Sequence, residues 1–134
     1  MHFVVESRSK RNRAFVEHIM PSMIKQLGLT RSRKVLVVRI ANETGDGIDG
    51  LTMPFPGIDS FIVVIKPGKL EAMGITLAHE MVHVRQMALG MLKTQNGVNV
   101  WRGKRYTKRT KYLNMPWEVD AFSKQELIFR RAIE

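Results

Sequence analysis

The 134-residue sequence contains no cysteine. Disulfides, thiolate zinc sites and cysteine nucleophiles are therefore excluded, and a transition-metal site would have to use imidazole and carboxylate ligands. Only four histidines are available for such a site. The chain also lacks an apolar run near the ~20 residues of a membrane span, and its N-terminus lacks the apolar core of a signal peptide. We therefore expect a cytoplasmic protein with no membrane partner.

Acidic side chains are scarce as well. Twelve aspartates and glutamates stand against 22 lysines and arginines, which gives a formal net charge of +10. Such a charge favours nucleic acid, acidic surfaces or acidic substrates as partners. The length, with an ordinary hydrophobic content of 44%, predicts a single domain over residues 1–134.

The positive charge is concentrated in clusters. The largest has six cations within ten residues beside aromatic side chains, an arrangement suited to single-stranded nucleic acid. Such a run is more often only a solvated face, and selection of acidic peptides is a further alternative. The six cations are Arg102, Lys104, Arg105, Lys108, Arg109 and Lys111, and smaller clusters lie at residues 8–13 and 31–34.

Hydrophobic periodicity predicts an α+β fold. Residues 14–27 and 70–89 show helical spacing, with Asn12 as a candidate N-cap for the first helix. Pro21 predicts a kink in that helix or its division into two short helices. Pro116 suits the first turn of a last helix that ends near residue 132. Strands are predicted at residues 3–5, 35–40 and 61–65, a long connection at 42–60, and a hairpin or extended loop at 98–112.

The segment His79-Glu80-Met81-Val82-His83 combines two potential metal ligands with a candidate general base. Residues four apart lie on one face of a helix, so both imidazoles can reach one metal ion. Glu80 lies one step round the same turn, where its carboxylate can take a proton from water on the metal. Because a five-residue pattern also arises by chance, the remainder of the site has to support it.

A catalytic zinc ion usually has three protein ligands. No histidine follows His83, so the third ligand has to be a carboxylate. The downstream candidates are Glu118, Asp120, Glu126 and Glu134. Glu118 is the best placed, in the first turn of the last helix, and Asp120 points about 200° away from it. Glu118 could instead serve only to complement the helix dipole.

Two further motifs follow the histidine pair. They are Trp101-x-Gly103-x-x-Tyr106 and, after Tyr112, Pro116-Trp117-Glu118-x-Asp120-Ala121. With His-Glu-x-x-His, they resemble the gluzincins, in particular the small single-domain zincin-like metallopeptidases of phage and bacterial genomes, over residues 61–122. The resemblance implies a small mixed sheet packed on an active-site helix, with a C-terminal helix that supplies the third ligand. A phage-encoded chain of this kind would act in the host cytoplasm or the virion.

The same resemblance implies a zinc metalloendopeptidase that hydrolyses peptide bonds in a protein or peptide substrate. His79, His83 and Glu118 would bind Zn²⁺. Glu80 would activate the zinc-bound water and then pass the proton to the leaving amine. The competing interpretations are a basic nucleic-acid-binding protein, of phage origin, on a zincin scaffold with little or no turnover, and a metal-stabilised structural module. Nothing in the sequence indicates an oligomeric state.

Three features of the proposed site leave alternatives open. Tyr106 and Tyr112 are candidate oxyanion donors, but both could instead pack their rings against a tryptophan. The strand at residues 61–65 would form the rim of the cleft, where an extended peptide could add to a free edge. Phe122 stands where thermolysin-type enzymes have an aspartate that orients the first histidine. Either Asp120 or a backbone carbonyl would then have to orient His79.

Overall fold

Two sheets and three α-helices form a mixed α+β arrangement in the part of the chain that the structure describes. The structure is a computed structural model, and it describes residues 1–42, 44–55, 58–107 and 109–134. The strands are β1 (His2–Glu6), β2 (Val35–Ile40), β3 (Gly50–Pro54), β4 (Ser60–Ile65), β5 (Leu92–Gln95), β6 (Val98–Trp101) and β7 (Lys104–Tyr106). The α-helices are α1 (Lys10–Gln26), α2 (Leu70–Ala88) and α3 (Pro116–Ile133), and a 3-10 turn covers Tyr112–Asn114. The α+β class predicted from periodicity is confirmed.

The first sheet has the strand order β1-β2-β4-β3. β1, β2 and β4 are parallel, with Val37 opposite both Val4 and Ile62, whereas β3 runs antiparallel to β4. Alternate side chains such as Leu36 and Val63 are fully buried and join the core that the helices cover. The period of two in β2 follows from the pleat, which sends successive side chains to opposite faces.

β4 lies inside this sheet, with β2 on one side and β3 on the other. The prediction of a strand at residues 61–65 is therefore confirmed, but the expectation that a peptide could add to its edge is wrong. Within the described residues the edge strands are β1, which pairs only with β2, and β3, which pairs only with β4 and lies beside α2. A peptide that added to this sheet beside α2 would have to pair with β3.

β3 lies in the segment predicted to be a long connection, residues 42–60. The strand has little apolar alternation, because its side chains are half-buried or exposed along its length. Pro54 is tolerated at its end because an edge strand does not need every backbone N–H in the ladder. A strand of this composition gives no period-two signal, which explains why the prediction missed it.

α1 begins after Ser9, whose Oγ accepts a hydrogen bond from the backbone N–H of Asn12 at 3.1 Å. Ser9 is therefore the N-cap, and the assignment of that role to Asn12 is wrong. Pro21 lies within one continuous helix rather than between two short ones. A proline inside a helix costs about 3 kcal/mol. Burial of one apolar face, at about 1.5–3 kcal/mol for each large side chain, offsets that cost. The buried residues are Val16, Ile19, Met20, Met23 and Ile24.

α2 and α3 pack closely against each other, and this packing positions the candidate site. A Cβ atom at Gly74 would clash with the ring of Phe129, so glycine is needed for the close approach of the two helices. Ala121 is fully buried on α3. Both helices match their predicted ranges to within a residue or two, and Pro116 occupies the first turn of α3. In the described part of the chain, no helix is both long enough and apolar enough to cross a membrane.

The second sheet is antiparallel, with the order β5-β6-β7. Two-residue turns connect its strands, Asn96-Gly97 between β5 and β6 and Arg102-Gly103 between β6 and β7. All four residues have positive φ, as a type I′ hairpin turn requires. The hairpin predicted within residues 98–112 is confirmed, whereas β5 was not predicted.

Candidate metal centre

Three side chains from two helices converge at the interface of α2 and α3. His79 and His83 lie one turn apart on α2, and Glu118 lies in the first turn of α3. Each of the three residues is only 7% exposed. Glu118 Oε1 is 2.8 Å from Nε2 of His79 and 3.0 Å from Nε2 of His83. One carboxylate oxygen therefore faces both ring nitrogens.

Gln86 determines the tautomer of a neutral His83. Its Nε2 donates to the backbone carbonyl of Trp117 at 3.0 Å and to Oδ2 of Asp120 at 2.9 Å. Both partners only accept hydrogen bonds, so the amide cannot be turned the other way. Gln86 Oε1 consequently faces His83 Nδ1 at 2.9 Å, and Nδ1 must be the donor. The proton of a neutral His83 is thus on Nδ1, and Nε2 presents a lone pair.

The lone pair of His83 Nε2 points at an oxygen of Glu118 that is itself an acceptor. Such a pair of acceptors at 3.0 Å requires a positive centre between them. A proton on His83 Nε2 would supply it for that ring alone, whereas one cation between the three atoms would serve His79 as well. A single divalent cation satisfies all three atoms at once. The arrangement can therefore hold a metal ion.

The spacing of the three atoms agrees with metal coordination. Tetrahedral ligands at about 2.0–2.1 Å from a zinc ion are separated from one another by about 3.3 Å. The observed contacts of 2.8 and 3.0 Å require the ligands to move apart by only a few tenths of an ångström. Ligand atoms of His79, Glu80 and His83 also lie within 4.8 Å of one another, so Glu80 is a competing third ligand. Glu118 fits better, because its oxygen contacts both nitrogens directly.

Charges in the site are strongly coupled. Burial opposes the ionisation of Glu118, but when the two rings carry a proton on Nε2 their hydrogen bonds outweigh burial and lower the pKa of Glu118 to about 2. Burial likewise opposes the charged form of His83, yet the hydrogen bond and charge of Glu118 raise its pKa. Glu118 is thus a carboxylate at neutral pH and favours positive charge on the His83 ring.

Glu80 lies on the sheet side of α2 and is 6% exposed. Thr52 on β3 donates its hydroxyl to Glu80 Oε1 at 2.7 Å. Burial raises the pKa of Glu80, although the nearby His83 and the Thr52 hydrogen bond partly oppose the shift. A Cβ at Gly50 would lie 3.1 Å from Glu80 Cγ and 2.8 Å from Thr76 Cγ2. Glycine at position 50 therefore leaves room for the carboxylate.

The two tyrosines occupy different environments. Tyr112 lines the cleft, and its pKa is raised, first by burial and then by the negative charge of Glu118. The phenol is therefore a proton donor at neutral pH. Tyr106 packs its ring edge-on against Trp117, with centroids 5.5 Å apart, and does not line the cleft. For Tyr106 the structure favours the packing alternative over a role as oxyanion donor.

The side chains that orient the two histidines are not those expected from the sequence. His79 Nδ1 is 2.8 Å from Oε1 of Gln125, so neither Asp120 nor a backbone carbonyl orients this ring. Asp120 instead binds Gln86 and Lys124, and it supports His83 indirectly. Phe122 packs edge-on against the His79 ring with centroids 4.5 Å apart. Gln125 follows Glu118 by two helical turns, a spacing that places both on one face of α3.

A cleft of about 1080 Å³ opens over the candidate site. β3 forms one wall, α2 the floor, and α3 with the second sheet the other walls. Among the described residues, those that line the cleft include Asp49, Glu80 and Glu118 but no lysine or arginine. The chain's positive charge therefore lies outside the cleft, and nothing in its lining favours an acidic peptide.

Comparison with protein families, curated proteins and solved structures finds no match to this chain. The His-Glu-x-x-His group and its geometry thus stand alone as support for the resemblance to small zincin-like proteins.

Proposed function

We propose that the chain is a zincin-like, zinc-dependent peptidase in which His79, His83 and Glu118 bind the metal and Glu80 is the general base. One observation carries the proposal. The hydrogen bonds of Gln86 leave the Nε2 lone pair of His83 directed at Glu118 Oε1, an arrangement that a bound cation satisfies. Buried imidazole and carboxylate donors in a set of three suit zinc, with a further position open to water.

A zinc ion in this position would polarise a substrate carbonyl and lower the pKa of water. Glu80 takes the proton from the attacking water and transfers it to the leaving amine. Thr52 holds one oxygen of Glu80 at 2.7 Å, so the carboxylate keeps its position during both transfers. The raised pKa of Glu80 suits this role, because a general base works best with a pKa near the operating pH.

Tyr112 is the candidate that stabilises the developing oxyanion. Its hydroxyl stays protonated because burial and the charge of Glu118 raise its pKa. The residue lies just before α3 and lines the cleft on the side of Glu118. A donor in that position strengthens as negative charge develops on the carbonyl oxygen.

Polypeptide is the substrate that the cleft suits best. The edge of β3 that is not paired with β4 offers backbone N–H and C=O groups, and residues Leu51–Pro54 line the cleft. An extended peptide can pair with such an edge. In that position its scissile bond would lie over α2, close to Glu80, which Thr52 of the same strand contacts.

Substitution Glu80→Gln tests the proposal, because it keeps the size of the side chain and removes the base. With a labelled unfolded protein as substrate and zinc added, we expect the hydrolysis rate to fall by about 10²–10⁴-fold. Zinc content, measured by plasma mass spectrometry, should remain unchanged. Equal hydrolysis by wild type and Glu80→Gln would contradict the role of Glu80, and no hydrolysis by zinc-loaded wild type would contradict the enzyme itself.

Glu71→Gln is the matched control. Glu71 lies on the same helix, is exposed and does not line the cleft. The substitution changes the net charge by the same amount as Glu80→Gln. Hydrolysis should therefore continue at nearly the wild-type rate, and an equal loss in both variants would indicate a general effect of charge on the helix.

A further inference from the structure

The positive charge of the chain is unevenly distributed. Residues 81–117 contain eight lysines and arginines and no aspartate or glutamate. This stretch accounts for +8 of the formal net charge of +10. One of the eight, Arg85, donates to the backbone carbonyl of Leu27 and belongs to the helix packing. Another, Lys108, lies outside the described residues. The six that remain, here called the basic surface, are Lys93, Arg102, Lys104, Arg105, Arg109 and Lys111.

No carboxylate among the described residues neutralises the basic surface. In the described ranges, the carboxylates that form salt bridges pair with Lys34, Arg39, Lys124 and the two site histidines, and none pairs with the basic surface. Like charges on neighbouring strands repel one another. An anionic partner would remove that repulsion, and folding alone gives no reason to collect these charges.

The hairpin tip between β6 and β7 gives independent evidence. Arg102 has φ of 48°, in the left-handed region that residues with a Cβ rarely adopt. The equivalent turn between β5 and β6 places Asn96, with φ of 53°, at the same position before a glycine. Asparagine and glycine are the residues this turn prefers. The same sheet thus uses the favoured residue at one tip and an arginine, against backbone preference, at the other.

Aromatic rings hold two of these cations. The guanidinium of Arg102 lies 5.5 Å from the centre of the Trp101 ring, and Lys104 Nζ lies 5.1 Å from that of Tyr106. Tyr106 in turn packs against Trp117. Since their own cations and a neighbouring ring contact these aromatics, they are poorly placed to stack on bases. The contacts instead order the charged groups, which favours recognition of phosphates.

Strand pairing separates part of the basic surface from the cleft: Lys93 and Arg105 lie on the outer face of the second sheet, whereas Lys104, opposite Trp101, lies on the cleft face. Val100 on β6 pairs with Lys93 on one side and with Arg105 on the other, so these two cations share one face. They are separated by two strand spacings, about 10 Å. The opposite face carries Thr94 and Asn99, which line the cleft. A partner bound to the outer face therefore leaves the cleft open.

We propose that the basic surface binds the phosphate backbone of a nucleic acid. An anionic membrane is the less suitable partner, because surfaces that bind membranes carry exposed apolar side chains beside their cations. In residues 92–106, the second sheet, the structure has no exposed large apolar side chain, and the exposed Leu89, Tyr112 and Leu113 lie only at the borders of the basic stretch. The contacts are to phosphate rather than to bases, so binding does not depend on sequence. This inference is independent of the metal centre.

The triple variant Lys93→Gln, Arg102→Asn, Arg105→Gln tests the proposal. Arg102→Asn installs the residue that the turn prefers, so this change should not weaken the hairpin. Fluorescence anisotropy with a short labelled duplex DNA, in the presence of a chelator, measures affinity between about 50 and 200 mM salt. We expect the triple variant to bind at least about tenfold more weakly and its plot of log K against log salt to be shallower by about 2.7.

The control Lys25→Gln, Arg130→Gln, Arg131→Gln removes the same charge from exposed positions at the ends of α1 and α3. It should lower affinity much less than the triple variant. Equal losses in the two variants would overturn the proposal, as would the absence of DNA binding by wild type at low salt. Binding to vesicles rich in phosphatidylserine without binding to DNA would also overturn it. Binding that persists in chelator separates this site from the metal centre. The same affinity measurement with single-stranded DNA and with RNA of equal length identifies which nucleic acid is preferred.

Discussion

Gln86 contributes more to the candidate site than its neutral side chain suggests. It is fully buried, and its side chain bonds to His83 of the candidate site and to Trp117 and Asp120 of α3. Asp120 fixes the orientation of the Gln86 amide, and that orientation keeps the proton of a neutral His83 on Nδ1. Nε2 is therefore free to bind a metal. At the residue scale, the chemistry of His83 therefore depends on an amide that binds no metal itself.

Substitution Gln86→Leu tests this dependence. Leucine fills similar space but offers no partner to His83, Asp120 or the Trp117 carbonyl. We expect zinc affinity to fall about 10–100-fold, the range observed when a group that orients a metal ligand is removed. Competition with a chromophoric chelator measures the dissociation constant. The exposed Gln95→Leu is the control, and equal zinc affinity in wild type and Gln86→Leu would refute the role of Gln86.

Single residues differ in how far sequence could predict them. His79, Glu80 and His83 could be predicted because a helix places residues four apart on one face. Glu118 could be predicted because no histidine follows His83. Gln125, Gln86 and Thr52 could not be assigned their roles, because amides and hydroxyls carry no comparable local pattern. Gln125 and Thr52 lie 46 and 28 residues from their partners. Gln86 is only three residues from His83, but the groups that fix its amide lie 31 and 34 residues away on α3.

At the scale of elements, β3 links the first sheet to the candidate site. The strand forms a wall of the cleft, holds Glu80 through Thr52 and keeps its unpaired edge beside α2. Sequence predicted the helices well because apolar side chains recur along them at helical spacing. It failed for β3 and β5, since short strands with half-exposed side chains produce no such period. The segment most important for substrate binding in this proposal was thus among the least predictable.

Gly50→Ala probes the contact between β3 and α2. The added Cβ would lie 3.3 Å from Glu80 Oε2 and closer still to Thr76. Because Gly50 has no positive φ, strain would come from contact rather than from the backbone. We expect Glu80 to be displaced, with kcat/KM falling by about tenfold or more as a misplaced base loses part of its 10²–10⁴-fold contribution. Zinc content should stay constant.

Gly68→Ala provides the comparison for that experiment, because nothing lies within 4 Å of a Cβ at that position. It should leave kcat/KM unchanged. If Gly50→Ala also retained full activity, the account of how Gly50 makes room for Glu80 would be wrong.

At the scale of the whole molecule, the fold separates two kinds of charge. Carboxylates lie in the cleft and at the metal centre, whereas most of the excess positive charge lies on the second sheet and the segment that follows it. Net charge could be read from composition, but its distribution relative to the cleft could not. In the second sheet Thr94 and Asn99 face the cleft, and Lys93 and Arg105 lie on the other face, a division that follows from strand pairing. A peptidase bound to nucleic acid through the outer face would keep its cleft accessible.

A metal at the proposed site would also act at this scale, since its ligands His83 and Glu118, 35 positions apart in the chain, would join α2 to α3. Zinc content after dialysis against a weak chelator tests the central claim most directly, in wild type, Glu118→Gln and the exposed control Glu126→Gln. We predict one zinc ion per chain in wild type and in Glu126→Gln, and loss of zinc from Glu118→Gln. Wild type that retains no zinc, or Glu118→Gln that retains as much as wild type, would contradict the His79, His83 and Glu118 centre.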